Sequence, residues 1–345
     1  MPKDTKYVPI LKWKTGERIG MRNMDEGLKD LMCPVLVVTR GAEPDKFLRQ
    51  VLSDWGNGRP FYLDFHPTYI GSQSKFISTL LKQENSEDLC ILPVLTVDKA
   101  EGYFDVLRGH SSVFTEGVAL RVTLSELDEL TDIQGTLLKK AKMKKHPVDL
   151  IVDCTDLPKG GLQFSEFIAK SIRSFLSDSK KTNTYRTIIV AGSSFPMSLK
   201  GSQVPQDRIT KLPRYEWKIW RKISQQHPFV RYGDYGIDDP DEIQYTHNLT
   251  IIPHIRYTVA DGWLIVRGHY DSTKPNDFTQ YHTLSKNLQE HDLFCGKDYS
   301  WGDALIVECA NKQCIGRGCN HGSPVSWVAR GTNHHLTYVT RQVST

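Results

Sequence analysis

Short runs rich in Val, Ile, Leu and Phe recur eight times along this chain: Tyr7 to Leu11, Pro34 to Val38, Pro60 to Phe65, Cys90 to Val97, Gly117 to Val122, Val148 to Asp153, Arg186 to Gly192 and Pro228 to Asp234. Longer segments separate them, among them PDKFLRQVLSDW, SKFISTLLKQ, LSELDELTDIQGTLLKK and LQFSEFIAKSIRSFLSD. In these the apolar positions return every three or four residues, the period of a helix with one buried face. The order is therefore strand, helix, strand, helix. A strand that is continuously apolar is buried on both faces, which predicts a parallel sheet covered by helices. Eight such units over roughly 235 residues fit a (β/α)8 barrel. The rival is an open doubly wound sheet, but no G-x-G-x-x-G follows the first strand and no Walker A lysine occurs. The predicted fold is α/β, a (β/α)8 TIM-like barrel with an appended β-hairpin and a C-terminal helical extension.

The remaining segments attach to that frame. Residues 249–270, LTIIPHIRYTVADGWLIVRGHY, read as two strands about a turn at Ala260-Asp261-Gly262, placing Arg256, Arg267, His269 and Asp271 on a flap or rim. Residues 276–345 supply helices near Phe278 to Leu288 and Trp301 to Asn311 and the closing VSWVARGTNHHLTYVTRQV, so that 1–345 forms one domain. KLPRYEWKIWRKIS, Lys211 to Ser224, reads as a short amphipathic helix. It either docks Trp217 and Trp220 on the barrel or offers aromatics interleaved with cations to nucleic acid.

With 345 residues, 39% of them hydrophobic, the chain can bury a substantial core. Its 44 Lys and Arg against 40 Asp and Glu leave a formal charge of +4, too small for a histone-like polyanion binder. No apolar run is long enough to span a bilayer and MPKDTKY lacks the apolar core of a signal peptide, so a cytoplasmic protein with no membrane partner is expected. Seven cysteines, four of them (Cys33, Cys90, Cys154, Cys309) in or beside apolar runs, predict free thiols.

Polar residues that follow buried strands are the candidate chemistry, because in a barrel of this kind the C-terminal strand ends form the binding face. The stretch DLIVDCTDLPKGG ends an apolar run in Asp153 and Asp156, and the same grammar puts Asp64 and His66 after Phe61-Tyr62-Leu63 and Asp234 after Phe229-Val230. The expected mouth gathers Lys12, Lys14, Glu17, Arg40, Asp64, His66, Asp98, Arg121, Asp153, Asp156, Ser193, Ser194, Arg231 and Asp234. Taken singly, each reads first as a helix cap or a solvated loop charge, Asp156 and Ser193 above all, and it is the recurrence at most strand ends that points to a shared mouth. Acidic strand ends suit a divalent cation such as Mg²⁺ or Mn²⁺. GSSFP, Gly192 to Pro196, offers small hydroxyls and backbone N–H groups to an anion, or is a plain turn, and it is no nucleophile elbow. Cys309, Cys314, Cys319 and His321 have the residue types of a structural zinc site, with gaps at the edge of the usual spacing. His334 and His335 are adjacent and badly placed to chelate one metal together, and one of them is expected to hydrogen-bond in the mouth.

YVPILKWKTGE, RPFYLDF, GSSFP, RYGDYG, RYTVADGWLIVRG and WVARGTNHHLTYV, in this order across nearly the whole chain, resemble the beta protein family of temperate and satellite phages. The resemblance implies a phage or prophage accessory gene in a bacterial host, in a cassette with a killer protein, associated with anti-phage defence; it carries over no catalytic residues. Two functions follow. One is a toxin-antitoxin-like partner that restrains a toxic companion protein. The other is a metal-assisted phosphodiesterase or nucleotide-processing enzyme, with Asp64, Asp153, Asp234 and His66 as catalytic candidates. In that case Lys12, Glu17, Arg121, Ser193, Ser194, Arg231, Arg267 and His334 would hold a phosphate-bearing ligand or nucleic acid.

Overall fold

Eight strands close into one barrel in a computed structural model that describes residues 4–69, 71–84, 86–157, 161–199, 204–241, 250–312 and 321–345, the side chains of 156 and 161–163 excepted. The chain's strands are β1 (Tyr7–Lys12), β2 (Val35–Val38), β3 (Pro60–Phe65), β4 (Cys90–Leu95), β5 (Val118–Thr123), β6 (Val148–Asp156), β7 (Thr187–Ser193), β8 (Arg208–Pro213), β9 (Arg231–Asp234), β10 (His254–Val259) and β11 (Gly262–Arg267). The barrel runs β1-β2-β3-β4-β5-β6-β7-β9 and is closed by β9 on β1, with Val8 opposite Gly233. All eight neighbour pairs are parallel. These are the eight strands expected from the apolar runs.

Alternation explains why those runs are apolar throughout. Val8 and Ile10, Val35 and Val37, Leu92 and Val94, Ile189 and Ala191 lie two apart on their strands and meet in one interior cluster. The residues between them point outward under the helices. Phe61 packs against Phe47 of the helix Pro44–Asp54, and Phe65 stands edge-on to Phe76 of the helix Gln73–Leu80. A residue on either face of such a strand is buried, and neither face tolerates unpaired charge.

The chain divides into two compact units: Met1–Trp13, Lys29–Ser193 and Tyr215–Tyr235, which hold the barrel, and Lys14–Leu28, Ser194–Arg214 and Gly236–Thr345. In the second unit the expected hairpin is present as β10 and β11 about Ala260 and Asp261, and it belongs to a three-stranded antiparallel sheet in the order β10-β11-β8. The expected helix from Lys211 is corrected here. Lys211 to Pro213 end β8, and the helix runs Tyr215–Ser224 in the barrel unit. β8 is an edge strand of intermediate and exposed residues, so it lacks an apolar run, and Pro213 at its end gives up no ladder bond the edge needs. The tryptophans of the helix dock: Trp217 is buried against Tyr232, and the Trp220 indole donates to the Val230 carbonyl.

Among the described residues the second unit also carries, beside Thr15–Arg22, the helices Tyr281–Gln289, Trp301–Ala310 and Pro324–Ser344. The last opens on a Ser323–Ser326 capping box with Pro324 in its first turn, where a missing N–H costs nothing. It lies so close to the helix Thr15–Arg22 that a Cβ on Gly20 would sit 2.8 Å from the Ala329 carbonyl oxygen. No helix among the described residues is long and apolar enough to cross a membrane. Among the described residues Cys33, Cys90, Cys154 and Cys295 carry free thiols; burial pushes the Cys33 and Cys154 thiols far up, away from thiolate chemistry.

Candidate functional site

The interior alternation does not stop where the apolar residues stop. Two residues beyond Ile10, Tyr62, Ala119 and Ile151, each in the interior cluster, come Lys12, Asp64, Arg121 and Asp153. The uppermost interior layer, at the C-terminal ends of these strands, is thus polar. Three of its members meet directly. Arg121 donates through Nη1 to Asp64 Oδ2 at 2.6 Å, and through Nε and Nη2 to Asp153 Oδ2 at 2.8 and 2.6 Å. Lys99, from the loop after β4, donates to Asp64 Oδ1 at 2.7 Å. Tyr235, just past β9, accepts from Arg121 Nη2 and donates to Asp153 Oδ2 at 2.6 Å.

Backbone N–H groups complete the network, that of Phe65 to Asp64 Oδ1 at 2.8 Å and that of Thr155 to Asp153 Oδ1 at 2.7 Å. Thr155 has φ of 48°, costly for a β-branched residue, at a register shift between Asp153 and Asp156. The Asp153 carboxylate offsets that strain by holding the bulged N–H. All four carboxylate oxygens of Asp64 and Asp153 therefore accept bonds from the protein itself. Two carboxylates face two cations. The side chains of Asp64, Asp153 and Lys99 are 3%, 4% and 3% exposed against 20% for Arg121, so Arg121 is the member of these four that solvent reaches most.

The electrostatics follow from burial and pairing. Burial opposes ionisation of Asp64, yet Lys99 and then Arg121 outweigh it and hold its carboxyl below the usual range. Burial likewise opposes the charge on Arg121, and Tyr235, Asp153 and Asp64 more than restore it. Burial drives the Tyr235 hydroxyl well above its ordinary value and Asp153 adds to this, against Arg121, so it stays a proton donor. Lys99 reaches the site along an aromatic wall, its ammonium 5.5 Å from the Phe65 ring and 5.4 Å from that of Tyr103.

Other expected residues lie elsewhere. Asp234 alternates with Tyr235, points outward, and accepts from the Tyr7 hydroxyl. Arg231 is the first residue of β9 and so stands at the N-terminal end of that strand. His66 holds Thr68 through Nδ1 at 2.8 Å, and Asp98 is exposed. Ser193 is buried and its carbonyl takes the Leu157 N–H. Lys12 is buried at the end of β1, whereas Arg40 is exposed. Glu17, Ser194, Arg267 and His334 belong to the second unit, where Glu17 is buried on the helix Thr15–Arg22, Ser194 donates to the Pro213 carbonyl and His334 bonds Asp303. Sequence reading missed Lys99 and Tyr235; continuing the period of two past Gly233 reaches Tyr235.

The donor set does not suit a divalent cation, since each oxygen a metal would take is already bonded to an N–H, ammonium, guanidinium or hydroxyl. Among the described residues, no group of three or more His, Cys, Asp or Glu is placed to hold a metal ion. Cys314 and Cys319 of the zinc expectation lie outside the described residues, while His321 bonds the Gly322 carbonyl through Nδ1. The family model described as Beta protein matches residues 7–341, and the chain belongs to that family. No curated protein matches it.

Proposed function

We propose that this member of the Beta protein family is a phage- or prophage-encoded accessory protein that binds and restrains a toxic companion, acting in the cytoplasm of the bacterial host as a scaffold without catalysis. The observation that favours a scaffold is the self-neutralised layer at the barrel mouth: Arg121 spends its whole fork on Asp64 and Asp153, leaving little with which to grip a phosphate. The companion and the anti-phage setting rest on the family context. A metal-assisted phosphodiesterase using Asp64, Asp153 and Asp234 would have to dismantle the network and recruit a residue from the outer face of β9.

Co-expression tests the reading. The gene product encoded beside this one should arrest growth when expressed alone, and this chain should restore growth and co-purify with it. Failure of both rescue and co-purification, with both proteins expressed, would overturn the proposal.

A further inference from the structure

Two neighbouring helices of the barrel unit turn rings and unneutralised cations to solvent together. The helix Gly161–Leu176 follows β6, and the helix Tyr215–Ser224 packs beside it. Ile168, Ala169, Ile172 and Leu176 of the first are buried and fix its inward side. Phe164 and Phe167 lie off that side, 38% and 66% exposed, with ring centroids 6.4 Å apart. Two phenyl rings left in water against each other forgo the burial that an apolar side chain normally finds, which marks an interaction surface.

Cations border these rings. At 100° per residue, going round the helix from Phe164 and Phe167 reaches Lys170 next, and then Glu166 and Arg173. Glu166 pairs with Lys222 of the neighbouring helix, which places that helix on the Arg173 side. With Trp217 docked inward, the same helix turns Lys218 outward, one turn before Lys222, its ammonium 5.4 Å from the Tyr215 ring. Glu166 is matched to Lys222, so Lys170, Arg173 and Lys218 have no carboxylate within ion-pair distance among the described residues. The face is therefore positive and carries flat apolar surface within one turn of a charge. That combination suits a chain of phosphates and unpaired bases, each base having a face to stack. A duplex keeps its bases stacked on one another and offers none to a phenyl ring. A membrane-surface helix needs a broad apolar face toward lipid, and the apolar face of this helix is already spent on the barrel.

We infer that this face binds single-stranded nucleic acid without sequence preference, bases stacking on Phe164 and Phe167 and phosphates meeting Lys170, Arg173 and Lys218. The site is separate from the barrel network and from the companion-binding proposal. Fluorescence anisotropy of the full chain with a labelled oligothymidylate of about 12 nucleotides, repeated at rising salt, tests it. Binding should saturate, and log K against log salt should fall with a slope of about −2 for contacts at the three cations. Phe167→Ala removes an exposed ring, should fold, and should weaken binding about tenfold with the slope unchanged. Lys170→Gln combined with Arg173→Gln should flatten the slope to about −1. Lys46→Gln combined with Lys82→Gln, an equal charge change at exposed positions elsewhere on the barrel unit, should alter neither. Absence of saturable binding, a duplex of equal length bound as tightly as the strand, or a Phe167→Ala chain that binds like wild type would each overturn the inference. So would Phe167-dependent attachment to phosphatidylserine vesicles with no binding of the strand.

Discussion

Arg121→Met should lower the free energy of unfolding by about 3–5 kcal/mol, because it removes one member of a buried ionic network and strands two carboxylates. Methionine keeps the apolar stem, so the loss is not one of packing. Asp153 would keep Tyr235 and the Thr155 N–H but no cation, and Asp64 would keep Lys99 and the Phe65 N–H, both on Oδ1, with nothing on Oδ2. Arg121→Lys restores charge without the fork that spans both carboxylates and should recover only part of the loss. Urea unfolding followed by tryptophan fluorescence measures both. The same network predicts an acid response. The folded Asp64 carboxyl lies below its unfolded value of about 3.9, so its contribution is full at neutral pH. It falls away as pH drops below about 4 and is gone once the folded carboxyl is protonated. Asp64→Asn should flatten that part of the acid slope; an unchanged slope would mean the pairing contributes nothing.

His334→Leu should cost about 3 kcal/mol or more, with the loss felt in the second unit. His334 and Asp303 are wholly buried; the ring binds Asp303 Oδ2 through Nδ1 and the Thr258 carbonyl through Nε2, each at 2.8 Å. Leucine leaves that carbonyl without a donor and leaves Asp303 with only Tyr257 and Ser300, each loss of a bond to a buried or charged group costing ~1–3 kcal/mol. The ring also stacks on Tyr257 at 3.8 Å between centroids. Hydrogen exchange should show amides of the helix Pro324–Ser344 exchanging faster in the variant. Exchange and melting like wild type would mean the cluster is ornamental to stability.

How much of this was legible in the chain depends on where each residue's neighbours come from. The eight barrel strands were readable because each is buried on both faces and so is apolar without interruption. β8 was not, since an edge strand with one partner carries the exposed residues RITKLP. Asp64, Arg121 and Asp153 announced themselves as charges closing apolar runs. Lys99 did not: it enters from a loop behind the exposed Asp98, and only its long stem across Phe65 and Tyr103 takes it to Asp64. Arg231 and Asp234 were misread together. The apolar PFV suggested a strand that starts at residue 228, but Phe229 is exposed and β9 starts at Arg231, which moves Arg231 to the strand's opening and makes Tyr235 the inward residue.

On the proposed scaffold function, the charged barrel mouth holds the fold together and takes no direct part in binding the companion. Asp153→Asn tests it most directly, since the change keeps volume and removes one charge. Unfolding free energy and capture of the proposed companion, the gene product encoded beside this one, should be measured on the same preparation at a temperature where the variant is folded. A purely structural Asp153 gives a stability loss of about 3 kcal/mol with capture retained by the folded fraction. A variant as stable as wild type that no longer captures the companion would contradict it.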